Sequence, residues 1–181
     1  MLLDIVILPS AGLRQKLAKR IKREMIGYPI VFVVDNLKLI PHLSLWHIKT
    51  SENRINEMTQ ELRKIVKNQK PIKISSPGCI ASRKEIGIVE FMVIDNKSLI
   101  SLQQRVFKRI YPFKAGMMPF GLWIKKESEQ AKKYGRPLDF KPHFTMGLLK
   151  NGRDALRVVK AMEKEKFNFF AKEIYLCKIN R

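Results

Sequence analysis

Two stretches of the chain carry residues that could do acid–base chemistry, and both stretches have the same pattern. Residues Pro41–Leu45 and Pro142–Met146 each read proline, histidine, apolar residue, hydroxyl residue, apolar residue. Side chains alternate between the two faces of a β-strand, so the histidine and the hydroxyl share one face and the apolar pair shares the other. The polar face predicts a cleft and the apolar face a core. The four side chains that we expect in the cleft are those of His42, Ser44, His143 and Thr145.

Two histidines and two hydroxyls that face one ligand are suited to a phosphate group. Imidazole titrates near neutral pH, so one ring can take a proton from water while the other gives one to a leaving oxygen. The hydroxyls can donate hydrogen bonds to the non-bridging oxygens and stabilise the charge that grows in the transition state. This division of work needs no metal ion, and the sequence has no HExxH segment that would indicate one. We therefore expect no metal and no other cofactor.

The elements that must position these motifs occur twice in the same order. Apolar periodicity predicts strand, helix, motif strand, helix and strand over residues 1–84, and the same series over residues 85–181. Leu2–Leu8 and Ile86–Ile94 are the first buried strands of the two series, and Phe167–Ile179 reads as one last extended segment. The pattern predicts an internal duplication within a single domain that spans the whole chain.

The helix predicted after the first strand is amphipathic and strongly basic. Ser10 is placed to cap its N-terminus, and lysines and arginines surround an apolar stripe. That stripe consists of Leu13, Leu17, Ile21 and Met25. Ser51 and the segment Asn96–Ser98 are the candidate caps of two later helices.

The two motifs resemble those of the two-histidine (2H) phosphoesterase superfamily, and most of all its bacterial and archaeal branch of 2'-5' RNA ligase-like, RNA 2',3'-cyclic phosphodiesterases. The family pattern is His-x-Thr/Ser-x with hydrophobic x, once in each half of the chain. His42–Leu45 and His143–Met146 match it, with Ser44 where threonine is commoner. The resemblance implies an α+β, bilobal, duplicated fold, in which two pseudo-symmetric lobes of antiparallel sheet have helices outside and a central cleft.

The same resemblance implies an activity and a set of roles. The reaction is hydrolysis of a 2',3'-cyclic phosphate at an RNA end to a terminal monophosphate, and its reverse is 2'-5' ligation. By analogy His42 is the acid, His143 is the base, and Ser44 and Thr145 bind the phosphate. The alternatives are a phosphodiesterase of small cyclic or 2'-5'-linked nucleotides, a non-catalytic basic RNA-binding module, and an inactive member of the family.

The charge of the chain favours a polyanionic partner. Lysine and arginine number 36 against 16 aspartate and glutamate, which gives a formal net charge of +20. We therefore expect RNA or a nucleotide as substrate, and no membrane role, because no segment is long and apolar enough to span a bilayer and the basic helix lacks aromatic anchors. Cys79 and Cys177 are spaced as free thiols rather than as a zinc site, which favours a cytoplasmic protein. We expect a monomer.

Two residues that follow the first motif are assigned by strand parity. Trp46 has the same parity as His42 and Ser44, so it could line the cleft and stack on a base, with packing in the core as the alternative. His47 has the opposite parity, which predicts that it points away from the cleft and is structural.

The segment Pro112–Pro137 is longer than its counterpart in the first half and is rich in glycine and basic residues. It could form a lid or substrate-binding loop, or a merely solvated insertion. Arg136 and Lys141, close before the second motif, are candidates for phosphate contact.

Overall fold

The computed structural model describes residues 1–82, 87–94, 96–116 and 140–179. Within these ranges the chain forms four α-helices: α1 Ala11–Met25, α2 Ile55–Val66, α3 Lys97–Ile110 and α4 Gly152–Met162. It also forms nine strands: β1 Leu2–Ile7, β2 Ile30–Val33, β3 Leu43–Lys49, β4 Ile72–Ser76, β5 Gly78–Ser82, β6 Gly87–Met92, β7 His143–Leu149, β8 Phe167–Ala171 and β9 Tyr175–Lys178. All the strand pairs are antiparallel. The predicted α+β class is confirmed.

The first helix forms as its sequence predicts. The Ser10 side chain accepts a hydrogen bond from the Leu13 backbone N–H and so satisfies one of the unpaired donors at the start of α1. The apolar stripe is buried at Leu17, Ile21 and Met25. The lysines on the opposite face are exposed, which confirms the basic outer surface.

Side chains also cap two of the later helices. Asn96 accepts hydrogen bonds from the Ser98 and Leu99 backbone N–H groups at the start of α3, as predicted. Asn151 accepts one from Asp154 at the start of α4. The prediction for Ser51 was wrong, because Ser51 precedes a 3-10 turn and its side chain makes no capping hydrogen bond.

The strands form three sheets in the described part of the chain. Their orders are β3-β1-β9, β2-β7-β6-β5 and β4-β8. The predicted single segment Phe167–Ile179 is therefore two strands, β8 and β9, which lie in different sheets. The chain leaves the strand conformation for three residues between Ala171 and Tyr175 to make that change.

The first strand, the motif strand and the last strand pair in the same way in the two halves. Each motif strand, β3 or β7, pairs with the first strand of its own half, β1 or β6. The last strand of each half pairs with the first strand of the other half: β5 joins β6, and β9 joins β1. This correspondence supports the duplication that the sequence predicts.

The hydrophobic core includes residues of both halves. Leu43, Leu45, Phe144 and Met146, the apolar residues of the two motifs, all belong to it. Between Gly116 and Phe140 the chain lies outside the described residues, and with it most of the predicted lid, including Arg136. Among the residues that the structure describes, no helix combines the length and apolarity that crossing a membrane requires.

Candidate active site

The two motif strands present their histidines in matching ways. Leu43 and Leu45, like Phe144 and Met146, are buried, while the four polar motif side chains are only half-buried. This confirms the predicted division between a core face and an accessible face. Strands β3 and β7 contact each other although they belong to different sheets, so the two accessible faces come from neighbouring strands.

The local backbone fixes the orientation of both imidazole rings. Nδ1 of His42 lies 2.7 Å from the Ile40 carbonyl oxygen, and Nδ1 of His143 lies 2.8 Å from the Lys141 carbonyl oxygen. A carbonyl can only accept, so Nδ1 carries the hydrogen in both rings. The Nε2 atoms then face the site, and the exposed fractions of the two side chains are nearly equal, at 40% and 41%. Lys141, which we expected to bind phosphate through its charge, contributes its backbone carbonyl here.

The first motif converges on a buried carboxylate, that of Asp4 on β1. The Ser44 hydroxyl donates to Asp4 Oδ2 over 2.7 Å. His42 Nε2 lies 3.3 Å from the same oxygen, and His47 Nε2 lies 3.1 Å from it. Asp4 is only 4% exposed. One carboxylate oxygen thus holds three side chains of the first motif strand.

The electrostatics of this cluster favour charge on both Asp4 and His42. Burial by itself raises the pKa of Asp4, but the hydrogen bonds and positive charge of His42 and His47 outweigh it, so that the pKa falls below its usual value. Burial by itself lowers the pKa of His42, but the hydrogen bond and charge of Asp4, with the Ile40 carbonyl, raise it above its usual value. Both shifts favour the Asp4–His42 ion pair over the neutral pair.

The second motif has a looser partner. His143 Nε2 lies 3.5 Å from Glu90 Oε1, against 3.3 Å between His42 Nε2 and Asp4 Oδ2. Glu90 is on β6 opposite Thr145. The Thr145 hydroxyl makes no hydrogen bond with any residue that the structure describes, whereas the Ser44 hydroxyl is engaged with Asp4.

The structure shows the packing alternative for Trp46, and the prediction that His47 points away from the cleft was wrong. A β-bulge is the reason for both. The pairing of β1 with β3 shifts between Ile5 and Val6, so that Leu45 has no partner and the alternation of faces changes after it. Trp46 therefore points into the core, where its ring packs edge-on against Phe107 at 4.7 Å between centroids. His47 instead shares the face of His42 and Ser44.

Sequence reasoning missed Asp4 and Glu90. Asp4 had a signal, because it is the single charged residue in the apolar run Leu2–Leu8, and a charge in a buried strand needs a partner. Glu90 likewise interrupts an apolar strand. What the sequence could not give is the pairing that places each carboxylate beside a motif histidine.

The sequence has no match among protein families or curated proteins, whereas its fold does have matches among solved structures. No protein-family model matches the sequence, and no curated protein matches it. Solved structures do match along nearly the whole chain. E. coli LigT complexed with 3'-AMP superposes with a TM-score of 0.63 at 14% identity, covering 96% of this chain and 85% of that one.

The chain has the LigT fold. A second crystal structure, described as a phosphoesterase, matches with a TM-score of 0.60 at 14% identity, over 96% of this chain and 85% of its own. A protein from Thermus thermophilus matches with a TM-score of 0.57 at 14% identity, over 97% and 84%. The resemblance to two-histidine phosphoesterases, stated above from the motifs, is thus confirmed at the level of the LigT fold.

Proposed function

We propose that this protein is a metal-independent RNA 2',3'-cyclic phosphodiesterase that uses His42 and His143 as its proton-transfer groups. The observation that carries the proposal is the matched pair of imidazoles. Both rings are fixed through Nδ1 by the carbonyl two residues earlier, and both are half-exposed on neighbouring strands of a LigT fold. Single-domain organisation and cytoplasmic location belong to the same proposal.

In the proposed reaction, water attacks the phosphorus of the cyclic phosphate and one ring P–O bond breaks. His143 Nε2 accepts the proton of the attacking water, and His42 donates its Nε2 proton to the departing ribose oxygen. The product is a terminal monophosphate beside a free ribose hydroxyl, and the two rings have exchanged protonation states. The Asp4 ion pair supports the assignment of His42 as the acid, because it favours the charged ring before the reaction.

The hydroxyls contribute to phosphate binding. Thr145 can donate to a non-bridging oxygen directly, and Ser44 can do so once its hydroxyl turns away from Asp4. Donors at these positions stabilise the negative charge that grows on phosphorus oxygens in the transition state.

The testing experiment uses a short RNA that ends in a 2',3'-cyclic phosphate, incubated with purified protein in excess EDTA. Wild type should open the ring, and His42→Ala and His143→Ala should each lower turnover roughly a hundred- to ten-thousand-fold, because each lacks one proton-transfer group. Gly12→Ala is the matched control, since a Cβ there meets no atom within 4 Å. It should be fully active.

The position of the product phosphate, read by ³¹P NMR, identifies the oxygen that leaves. Full activity in either histidine variant would contradict the mechanism. Absence of ring opening by wild type, with RNA binding unchanged in all variants, would favour a basic RNA-binding module instead.

A second candidate substrate is a small nucleotide. LigT from E. coli has been crystallised with 3'-AMP and with NADP+; the NADP+ complex matches with a TM-score of 0.55 at 18% identity, over 96% of this chain and 85% of that one. The same two histidines would serve a small cyclic or 2'-5'-linked nucleotide. Comparing kcat/KM for a cyclic mononucleotide and for the RNA separates the two substrate classes.

A further inference from the structure

We propose that Asp4 is a positioning residue that holds His42 as the charged proton donor, and that His47 keeps Asp4 charged for this purpose. The inference rests on the proposed function, because it assigns a task to residues that contact the proposed acid or its carboxylate partner. It also makes the two halves of the site unequal: the first is specialised for proton donation, and the second for accepting a proton and binding phosphate.

Both ring nitrogens of His42 face a hydrogen-bond acceptor. Nδ1 faces the Ile40 carbonyl oxygen and Nε2 faces the Asp4 carboxylate. A neutral imidazole has only one N–H, so it cannot satisfy both acceptors, whereas the imidazolium can. At His143 the corresponding carboxylate lies farther away, at 3.5 Å.

Asp4 needs His47 because it is buried between two neighbouring strands. In the pairing of β1, His47 lies opposite Asp4 on β3, and Cys177 lies opposite it on β9. A thiol ionises only to an anion, so Cys177 cannot balance the carboxylate charge in either state. Burial, with a smaller effect from the Asp4 charge, raises the pKa of the Cys177 thiol and favours its neutral form. Among the described residues, the two imidazoles are the groups in contact with Asp4 that can carry a balancing positive charge, and the Ser44 hydroxyl is a third donor.

The contacts of the Asp4 carboxylate are also confined to one of its two oxygens. All three contacts reach Oδ2, while Oδ1 is buried without a hydrogen-bond partner among the described residues. A buried oxygen without a hydrogen-bond partner lowers the stability of the fold, so Oδ1 does not account for a carboxylate at this position. Its contacts point to the motif residues.

The kinetic test is the pH profile of kcat for wild type and Asp4→Asn. A general acid loses activity as the pH rises through its pKa, and Asp4 raises that pKa. The alkaline limb of Asp4→Asn should therefore move to lower pH. His47→Gln should move it the same way by less. An unmoved limb, with activity merely scaled down, would assign Asp4 a structural role and overturn the proposal.

A matched comparison is Glu90→Gln, which removes the carboxylate beside the other histidine. Because His143 is the proposed base, this substitution should leave the alkaline limb where it is in wild type. A shift of the alkaline limb equal to that of Asp4→Asn would mean that any nearby negative charge acts on the profile, and would overturn the specific assignment to Asp4.

A readout that does not depend on activity is the NMR titration of the imidazole rings. The chain has three histidines, and the three single substitutions assign their signals. In wild type His42 should stay protonated above the pH at which free imidazole titrates, and in Asp4→Asn this difference should disappear. A His42 titration in wild type at or below the usual value refutes the proposal, even if Asp4→Asn fails to fold. Absence of phosphodiesterase activity with the expected titration would refute the proposed function and leave the Asp4 assignment standing.

Discussion

The two motif hydroxyls are chemically similar but are not equally available. Ser44 donates its proton to Asp4 at 2.7 Å, whereas Thr145 donates to no residue that the structure describes. A ligand must break a charge-assisted hydrogen bond to recruit Ser44, and it need break none to recruit Thr145. If the proposed site binds a phosphate, its oxygens should therefore gain more net free energy from the second motif than from the first.

Substituting the two hydroxyls should expose this difference. We expect Thr145→Ala to lower kcat/KM roughly ten- to a hundredfold, because a hydrogen bond to a charged group contributes about 1.5–3 kcal/mol. Ser44→Ala should have a smaller effect. Thr145→Ser is the control that keeps the donor, and it should retain most of the activity. Equal losses in the two alanine variants, measured by steady-state kinetics, would contradict the unequal roles.

At the residue scale the sequence predicted the two histidines that we propose as proton-transfer groups, and it missed the carboxylates beside them. His42 and His143 were recognisable because each stands in a short pattern of fixed spacing, and spacing is a property of the sequence. The carboxylates Asp4 and Glu90 are distant in sequence from the histidines they face, at 3.3 Å and 3.5 Å. Such neighbours follow from strand pairing, which a single sequence does not specify.

Both motif strands contain a β-bulge, which the periodicity of the sequence does not reveal. The ladder of β1 with β3 shifts at Ile5/Val6, and that of β6 with β7 shifts at Val89/Glu90. In both cases the unpaired residue is the last of the motif, Leu45 or Met146. The bulge reverses the alternation beyond the motif, so the prediction by parity held up to Leu45 and failed after it.

The consequence of the bulge differs between the halves at the next position. In the first half Trp46 fills the core behind the strand. In the second half the equivalent residue is Gly147, and a Cβ there would lie 2.8 Å from the Met25 side chain and 3.0 Å from the Phe32 carbonyl oxygen. Helix α1 thus uses the space that a side chain would take, and a larger residue at 147 would displace it.

Substitution of Trp46 tests whether its ring packs in the core behind β3. Trp46→Phe should leave KM unchanged, because the ring lies behind β3 and cannot reach a ligand in front of it. It should lower the free energy of unfolding by about 1–2 kcal/mol, since it leaves part of a packed volume empty. Urea denaturation and steady-state kinetics measure the two quantities on the same sample.

The matched control for Trp46 is Phe107→Leu, which removes the partner ring from the same contact. It should destabilise the fold without changing KM, and the double variant should show a coupling of about 0.5–1.5 kcal/mol for the edge-to-face pair. A several-fold rise in KM for Trp46→Phe, with stability unchanged, would instead mean that the indole lines the cleft.

At the scale of the whole molecule the halves are joined through exchanged strands. Strand β5 of the first half completes the sheet of β6 and β7, and strand β9 of the second half completes the sheet of β1 and β3. The site depends on this exchange, because β9 covers the far side of the strand that carries Asp4. The repeat of element order was predictable from the sequence. The exchange of β9 was not, since it pairs segments nearly the full chain length apart.

The whole molecule also carries a charge that the two motifs do not explain. The formal net charge is +20, and the outward face of α1 contributes exposed lysines to it. A mononucleotide offers few negative charges to such a surface, whereas an RNA strand offers one per residue. The excess charge therefore favours a substrate that extends beyond the cyclic phosphate.

The salt dependence of KM tests this inference. For an RNA oligonucleotide with a terminal cyclic phosphate, each phosphate contact should release condensed counterions and contribute a slope of about 0.7 to log KM against log salt. Three such contacts would raise KM roughly tenfold or more between about 50 and 200 mM salt. The cyclic mononucleotide, assayed in parallel, controls for effects on the site itself and should show a shallow slope. If the two slopes coincide, the basic surface does not bind the RNA strand, and the substrate is no larger than the site between the two motifs.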